Sequence, residues 1–151
     1  MADMQQDLRE LYQEVIFDHN RHPRNFRAME QASHAADGYN ALCGDQLTVY
    51  VKVQDDVVVE ASFVGHGCAI STASASLMTE AVKGKTVAEV EALFQDMHAM
   101  LTEAHPEDRD FGKLEVLAGV REFPSRVKCA TLAWHTLHNA LAGVRDTAQT
   151  E

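Results

Sequence analysis

The residues of this chain best suited to chemistry are three cysteines and one aspartate: Cys43, Asp45, Cys68 and Cys129. Three is an odd number for disulfides, and a reducing compartment disfavours them in any case. Buried inert thiols, reactive thiols and metal ligands are therefore the readings to weigh. Cys43 and Asp45 flank Gly44, and in an extended backbone residues two apart point to the same side, so a thiolate and a carboxylate can converge there on one ion. Cys68 follows Gly65-His66-Gly67 and is expected to sit between a strand and a helix, where the free N–H groups of the helix start favour thiolate over thiol. Cys129 is expected in the first turn of the last helix, with the same consequence. Three thiolates and a carboxylate complete a four-coordinate shell suited to zinc or to an iron–sulfur cluster. Spacing alone leaves that shell open against plain packing of the cysteines.

Other side chains are weaker candidates. His135 and His138 stand three apart, a spacing able to bind metal, but two ligands fall short of the three or four of a zinc site, so packing or solvation is expected. His66 is placed to orient a ligand by hydrogen bonding. Arg126 and Lys128 could attract a persulfide or a partner's carboxylates, or be solvated charges. Trp134 and the methionines fall at core-like spacings.

The elements that must position these residues are legible from periodicity. Leu8, Leu11, Tyr12, Val15 and Ile16 predict an amphipathic helix over residues 5–19, stopped near Pro23. An irregular stretch to about Asn40 includes a short strand near Ala35–Tyr39. Residues 46–54 alternate with Leu47, Val49, Val51 and Val53 on one face, and residues 57–64 with Val57, Val59, Ala61 and Phe63, so Asp55-Asp56 is expected to turn a hairpin. The period then lengthens: Ile70, Ala73, Leu77 and Ala81 predict a helix ending near Lys83-Gly84. Thr86 and Glu89 form a capping box before Val90, Leu93, Phe94 and Met97. His105-Pro106-Glu107-Asp108 reads as a break. Phe111, Leu114, Leu117 and Ala118 suggest a short helix before Pro124. Ser125 is the expected N-cap of a last helix through Val127, Ala130, Trp134, Leu137 and Leu141, and the polar tail after Gly143 is expected to fray. The hairpin should bring Cys43 and Cys68 to one end of the sheet, whereas the place of Cys129 depends on packing. The expected fold is α+β, a small antiparallel sheet packed against several helices.

With 151 residues the chain fits one domain, residues 1–151, with an ordered core of about 8–142. Its 46% hydrophobic and 24% charged content suits a globular protein. The net charge of −10, from 23 acidic and 13 basic residues, argues against a general nucleic-acid binder, which needs a basic face. The acidic, polar N-terminus carries no secretory signal and no apolar run is long enough to span a bilayer, so no membrane partner and a cytoplasmic location are expected.

Longer motifs narrow the chemistry. Leu11-Tyr12-Gln13-Glu14-Val15-Ile16-Phe17-Asp18-His19 with Pro23-Arg24-Asn25, then Asn40-Ala41-Leu42-Cys43-Gly44-Asp45, Gly65-His66-Gly67-Cys68-Ala69-Ile70-Ser71 and Arg126-Val127-Lys128-Cys129-Ala130, together resemble the U-type iron–sulfur cluster assembly proteins: IscU, SufU and the N-terminal domain of NifU. The likeness spans roughly residues 8 to 142. Ala41 departs from the proline usual in that loop. Lys128 replaces the histidine that IscU relatives carry before the third cysteine. Glu122-Phe123-Pro124-Ser125-Arg126 does not match the chaperone-binding segment of IscU. With Arg126 and the long stretch between Cys68 and Cys129, these traits resemble SufU more closely.

The resemblance implies a SufE/NifU-like fold and a zinc ion held by Cys43, Asp45, Cys68 and Cys129. It also implies a role as acceptor and carrier of persulfide sulfur from a SufS-type cysteine desulfurase, with downstream scaffolds or apo-proteins as recipients. In SufU relatives a partner histidine takes a vacated zinc position. Cys43, in a loop, is the expected sulfur acceptor; Asp45, Cys68 and Cys129 are expected to keep the metal, and Arg126, Lys128 and His66 to support them. The alternative is a scaffold that assembles and transfers a [2Fe–2S] cluster on the same ligands, with iron in place of zinc. Whether the chain is an enzyme, a zinc-dependent sulfurtransferase, turns on which reading holds.

Overall fold

The computed structural model describes residues 4–103, 109–143 and 147–149. Helix α1, Met4–Arg21, rests Tyr12, Val15 and Ile16 partly buried against the core. It ends just ahead of Pro23, because the residue before a proline is pushed out of the helical region. Strands β1 (His34–Asn40), β2 (Asp45–Gln54) and β3 (Val57–His66) pair antiparallel. Asp55 and Asp56 both take positive φ, 53° and 62°, the left-handed pair that matches a two-residue hairpin turn to strand twist. The strand near Ala35–Tyr39 and the hairpin are thus as expected.

The phase of β3 is not. A register shift at Lys52/Val53 pairs Val53 with Val58 and Lys52 with Glu60, leaving Val59 as the extra residue of a β-bulge. Val58 consequently turns fully into the core, while Val57 and Val59 are only partly buried. Ala61 and Phe63 keep their expected inward positions.

Helix α2, Ala69–Val82, lies on β3, and helix α4, Pro124–Ala142, lies on β1 and β2. Their buried faces, with Leu77 and Met78 from α2 and Leu132, Trp134 and Leu137 from α4, close over Leu47, Val49, Val51, Val58 and Phe63 of the sheet. The indole of Trp134 donates to Ser74 Oγ at 3.2 Å, and Ser74 donates to the Ala130 carbonyl at 2.6 Å, so these buried polar groups are satisfied. Helix α3, Val87–Thr102, packs on α4. Its expected capping box is present: Glu89 N donates to Thr86 Oγ1 at 3.1 Å and Thr86 N to Glu89 Oε1 at 2.9 Å.

One further expectation is refined and two are corrected. The segment before Pro124 is a tighter 3₁₀ run, Gly112–Glu122, whose buried Leu114, Leu117 and Val120 recur every third residue, the repeat of that helix. Helix α4 begins at Pro124, so Ser125 lies inside it and is not the N-cap; proline at the first helical position needs no N–H partner. In the tail, Ala148–Gln149 forms strand β4 parallel to β1, with Ala148 buried, so these residues do not fray. The sheet order is β3-β2-β1-β4. The expected break at His105–Asp108 lies outside the described residues, and no described helix is long and apolar enough to cross a membrane.

Candidate metal centre

One end of the sheet gathers the cysteines. Asn40 and Asp45 are paired across β1 and β2, closing a turn over residues 41–44. Gly44 takes φ 71°, a left-handed conformation that glycine adopts without steric cost. Cys43 and Asp45 therefore converge through a turn and not through extended backbone. The turn leaves Cys43 exposed while Asp45, the first residue of β2, is fully buried.

The next strand brings Gly67 against Asp45 so closely that a Cβ there would overlap the carboxylate. That approach lets the Cys68 backbone N–H donate to Asp45 Oδ1 at 2.8 Å. Cys68 itself is the N-cap of α2, its sulfur accepting from Ser71 N at 3.4 Å, so the expected helix-start environment is present.

For Cys129 it is not. With α4 starting at Pro124, Cys129 lies in the second turn, beyond the free N–H groups, and is buried. Burial pushes its thiol well above the ordinary cysteine value, and hydrogen bonds with Asp45, Cys43 and Cys68 push the same way. Its Sγ lies 3.2 Å from that of Cys43 and donates to it.

Ligand atoms of Cys43, Asp45 and Cys129 all lie within 4.8 Å of one another. The Cys68 sulfur falls outside that trio but interacts with Cys129. Two buried groups, an aspartate and a thiol, share this pocket with two further thiols, and among the described residues no cationic side chain pairs with Asp45. A buried carboxylate without a counter-charge is costly, and a divalent cation would relieve it. The sulfur-rich donor set fits zinc or another thiophilic metal.

Beside the centre opens a groove of about 700 Å³, whose lining includes Cys43, Cys68, Cys129 and Arg126 together with Ile16, Phe17, Val120 and Phe123. Phe17 and Phe123 are exposed, and the Arg126 guanidinium lies 4.4 Å over the Phe123 ring.

The profile of the NifU-like N-terminal domain family matches residues 11–146. The chain belongs to that family. Among its relatives, the zinc-dependent sulfurtransferase SufU of Bacillus subtilis (strain 168) is 42% identical over 87% of this chain and 90% of its own length. The iron–sulfur cluster assembly scaffold protein IscU of Streptococcus pyogenes serotype M1 is 39% identical over 89% and 84%. Among solved structures, FiSufU from the thermophile Fervidobacterium islandicum AW-1 superimposes with a TM-score of 0.80 at 35% identity, covering 85% of this chain and 94% of that one. The α+β expectation thus agrees with both the architecture and the NifU-like family.

Of the supporting side chains expected from sequence, Arg126 lines the groove of this NifU-like centre, whereas Lys128 and His66 are not among its lining residues. His66 ends β3 and is exposed. His135 and His138 serve packing, as expected: His138 stacks on Phe94 with centroids 4.6 Å apart and bonds Glu91 Oε1 at 2.6 Å, while His135 meets Phe94 edge-on. Two residues against the centre were given no role of their own in the sequence reading, Asn40 and Gly67. An asparagine at the last position before a cysteine-bearing turn and a glycine directly before a candidate ligand were the available signals.

Proposed function

We propose that this chain is a zinc-dependent acceptor and carrier of persulfide sulfur in iron–sulfur cluster biogenesis, of the SufU type, with Cys43 as the acceptor. The observation that carries the reading is the grading of the three thiols: Cys43 is exposed at the groove, Cys68 is half-buried and Cys129 is buried behind them. Of the three, Cys43 is the most open to a partner's sulfur. In this reading Cys43, Asp45, Cys68 and Cys129 hold the metal, and residues 1–151 act as one domain in the cytoplasm. The bound zinc would supply positive charge that keeps the thiols deprotonated near neutral pH.

The Cys43 thiolate attacks the terminal sulfur of a cysteine persulfide on a SufS-type desulfurase. A new S–S bond forms on Cys43, the donor's S–S bond breaks and its cysteine leaves as a thiolate. One sulfur atom moves and no external oxidant or reductant is consumed. Asp45, Cys68 and Cys129 remain anchored by the sheet and helices. Arg126, which lines the same groove as Cys43, supplies a cation for the incoming persulfide anion. The decisive experiment measures alanine formation by a SufS-type desulfurase with cysteine and this protein, and sulfur on Cys43 by mass spectrometry. Cys43→Ala should abolish both; sulfur uptake that persists in the variant would sink the assignment of Cys43.

The second reading, a scaffold for a [2Fe–2S] cluster passed on to apo-proteins, is favoured by the 39% identity to a protein named as an IscU scaffold. Metal analysis of protein purified without reconstitution separates the two. Stoichiometric zinc is expected; iron with sulfide and a visible charge-transfer band would instead establish the scaffold. Lys128, where IscU relatives carry an imidazole ligand candidate, weighs toward zinc.

A further inference from the structure

We infer that Asn40 is the positioning residue of the centre, its side-chain amide holding Asp45 and Cys129 toward the metal while Cys43 stays free to take sulfur. This rests on the zinc reading above. Asn40 is completely buried at the end of β1, an environment in which an amide is costly unless its donors are used. They are used on the two candidate ligands. Nδ2 donates to Asp45 Oδ2 at 3.3 Å and to Cys129 Sγ at 3.6 Å, joining β1 to the start of β2 and to α4, which is 89 residues away in sequence.

The orientation of the amide follows from its surroundings. Turned over, its oxygen would face a carboxylate and a sulfur, both acceptors, and two attractions would become two repulsions. Its Oδ1 has no partner among the described residues, so the amide is held in place by what it donates. Amide donors to a carboxylate and to a sulfur are compatible with both groups keeping lone pairs for a metal, the arrangement by which outer hydrogen bonds orient ligands.

The other ligands are tied down differently. Asp45 Oδ1 takes the Cys68 N–H, so both carboxylate oxygens are held by donors from the frame, one from Asn40 and one from α2. Cys43 receives no bond from Asn40; its sulfur is met by the Cys129 thiol. Asn40 thus anchors Asp45 and Cys129, the α2 start holds Cys68 through Ser71 N, and Cys43 has no backbone or amide donor of this kind among the described residues. The sequence reading placed Asn40 in a motif but gave it no task, because only strand register and the approach of α4 put its side chain between Asp45 and Cys129.

The test compares wild type, Asn40→Ala and Asn40→Ser, each also in a Cys43→Ser background. Zn²⁺ affinity is read by competition with a chromogenic chelator, and the thermal midpoint of each metal-free protein is recorded alongside. Loss of outer-ligand partners of this kind weakens metal binding by about 10–100-fold. That loss is expected in both Asn40 variants, and it should persist without the Cys43 thiol because Asn40 acts through Asp45 and Cys129. Serine keeps a polar group in the hairpin but is too short to bridge both ligands, so it decides the matter if the alanine variant does not fold. Zinc affinity equal to wild type overturns the inference, whether or not the metal-free midpoint falls, since a lowered midpoint alone marks a purely structural amide. Wild-type protein that takes up no Zn²⁺ overturns the zinc reading and this inference together; Asn40-independent zinc binding overturns this inference alone.

Discussion

The Cβ that Gly67 lacks is the space that the Asp45 carboxylate occupies. Alanine there meets a buried aspartate held by Asn40 and by Cys68 N–H, so neither side chain nor strand can give way cheaply. We expect Gly67→Ala to cost about 1–3 kcal/mol, as overpacking does, and to lower zinc uptake because the carboxylate is displaced. Gly44→Ala is the comparison: its Cβ meets nothing beyond its chain neighbours but is forced into a left-handed backbone at φ 71°, costing about 1–2 kcal/mol. Urea unfolding of the metal-free proteins together with zinc titration separates stability from metal binding; wild-type zinc affinity in Gly67→Ala would show that the Gly67 contact is not needed. The four candidate ligands themselves were legible, because thiols and a carboxylate in recognisable motifs announce their chemistry. Asn40 and Gly67 were not, since their importance lies in apposition across strands, which no local pattern records.

Strand β3 carries the same lesson in a longer segment. Alternation placed Leu47, Val49 and Val51 of β2 correctly, because polar residues separate them. It failed at Val57-Val58-Val59, where three valines in a row give no contrast to mark the phase and a bulge was free to reset it. The 3₁₀ run did carry its signal, in the three-residue steps of Phe111, Leu114 and Leu117, and Pro124 marked the true start of α4. The consequence for β3 is measurable. Val58→Ala removes two methyl groups from a fully buried site and should cost about 2–3 kcal/mol. Val59→Ala, on the bulge and half-buried, should cost less than about 1 kcal/mol. Denaturant midpoints decide it: a larger loss at Val59 than at Val58 would mean that the strand keeps unbroken alternation in solution.

The acidic surface and two histidines, His19 buried and His135 half-buried, pull the stability of the molecule in opposite directions as pH falls. His19 is fully buried where α1 meets α2, with Nδ1 2.7 Å from Ser76 Oγ and Nε2 3.3 Å from Lys113 Nζ. Burial lowers its pKa, the nearby Arg24 and Lys113 cations lower it further, and Glu80 and Asp18 oppose them. His135, between α3 and α4, is lowered chiefly by burial and then by His98 and His138. Both rings therefore bind fewer protons folded than unfolded just below the ordinary value of 6.5. Unfolding takes up protons in that window, so their contribution is complete above about pH 6.5 and is lost progressively as pH drops toward the folded values. Against this, moving from a net charge of −10 toward the isoelectric point near 5.2 relieves self-repulsion and stabilises the fold. Salt screens the surface term and scarcely touches a buried imidazole. In about 0.5 M salt, stability should therefore fall between about pH 7.5 and 5.5, and the fall should be shallower in His19→Gln, which removes one of the two rings whose pKa is lowered. A wild-type profile that stays flat over that range in high salt would mean that the His19 pocket opens to water and accepts the proton without cost.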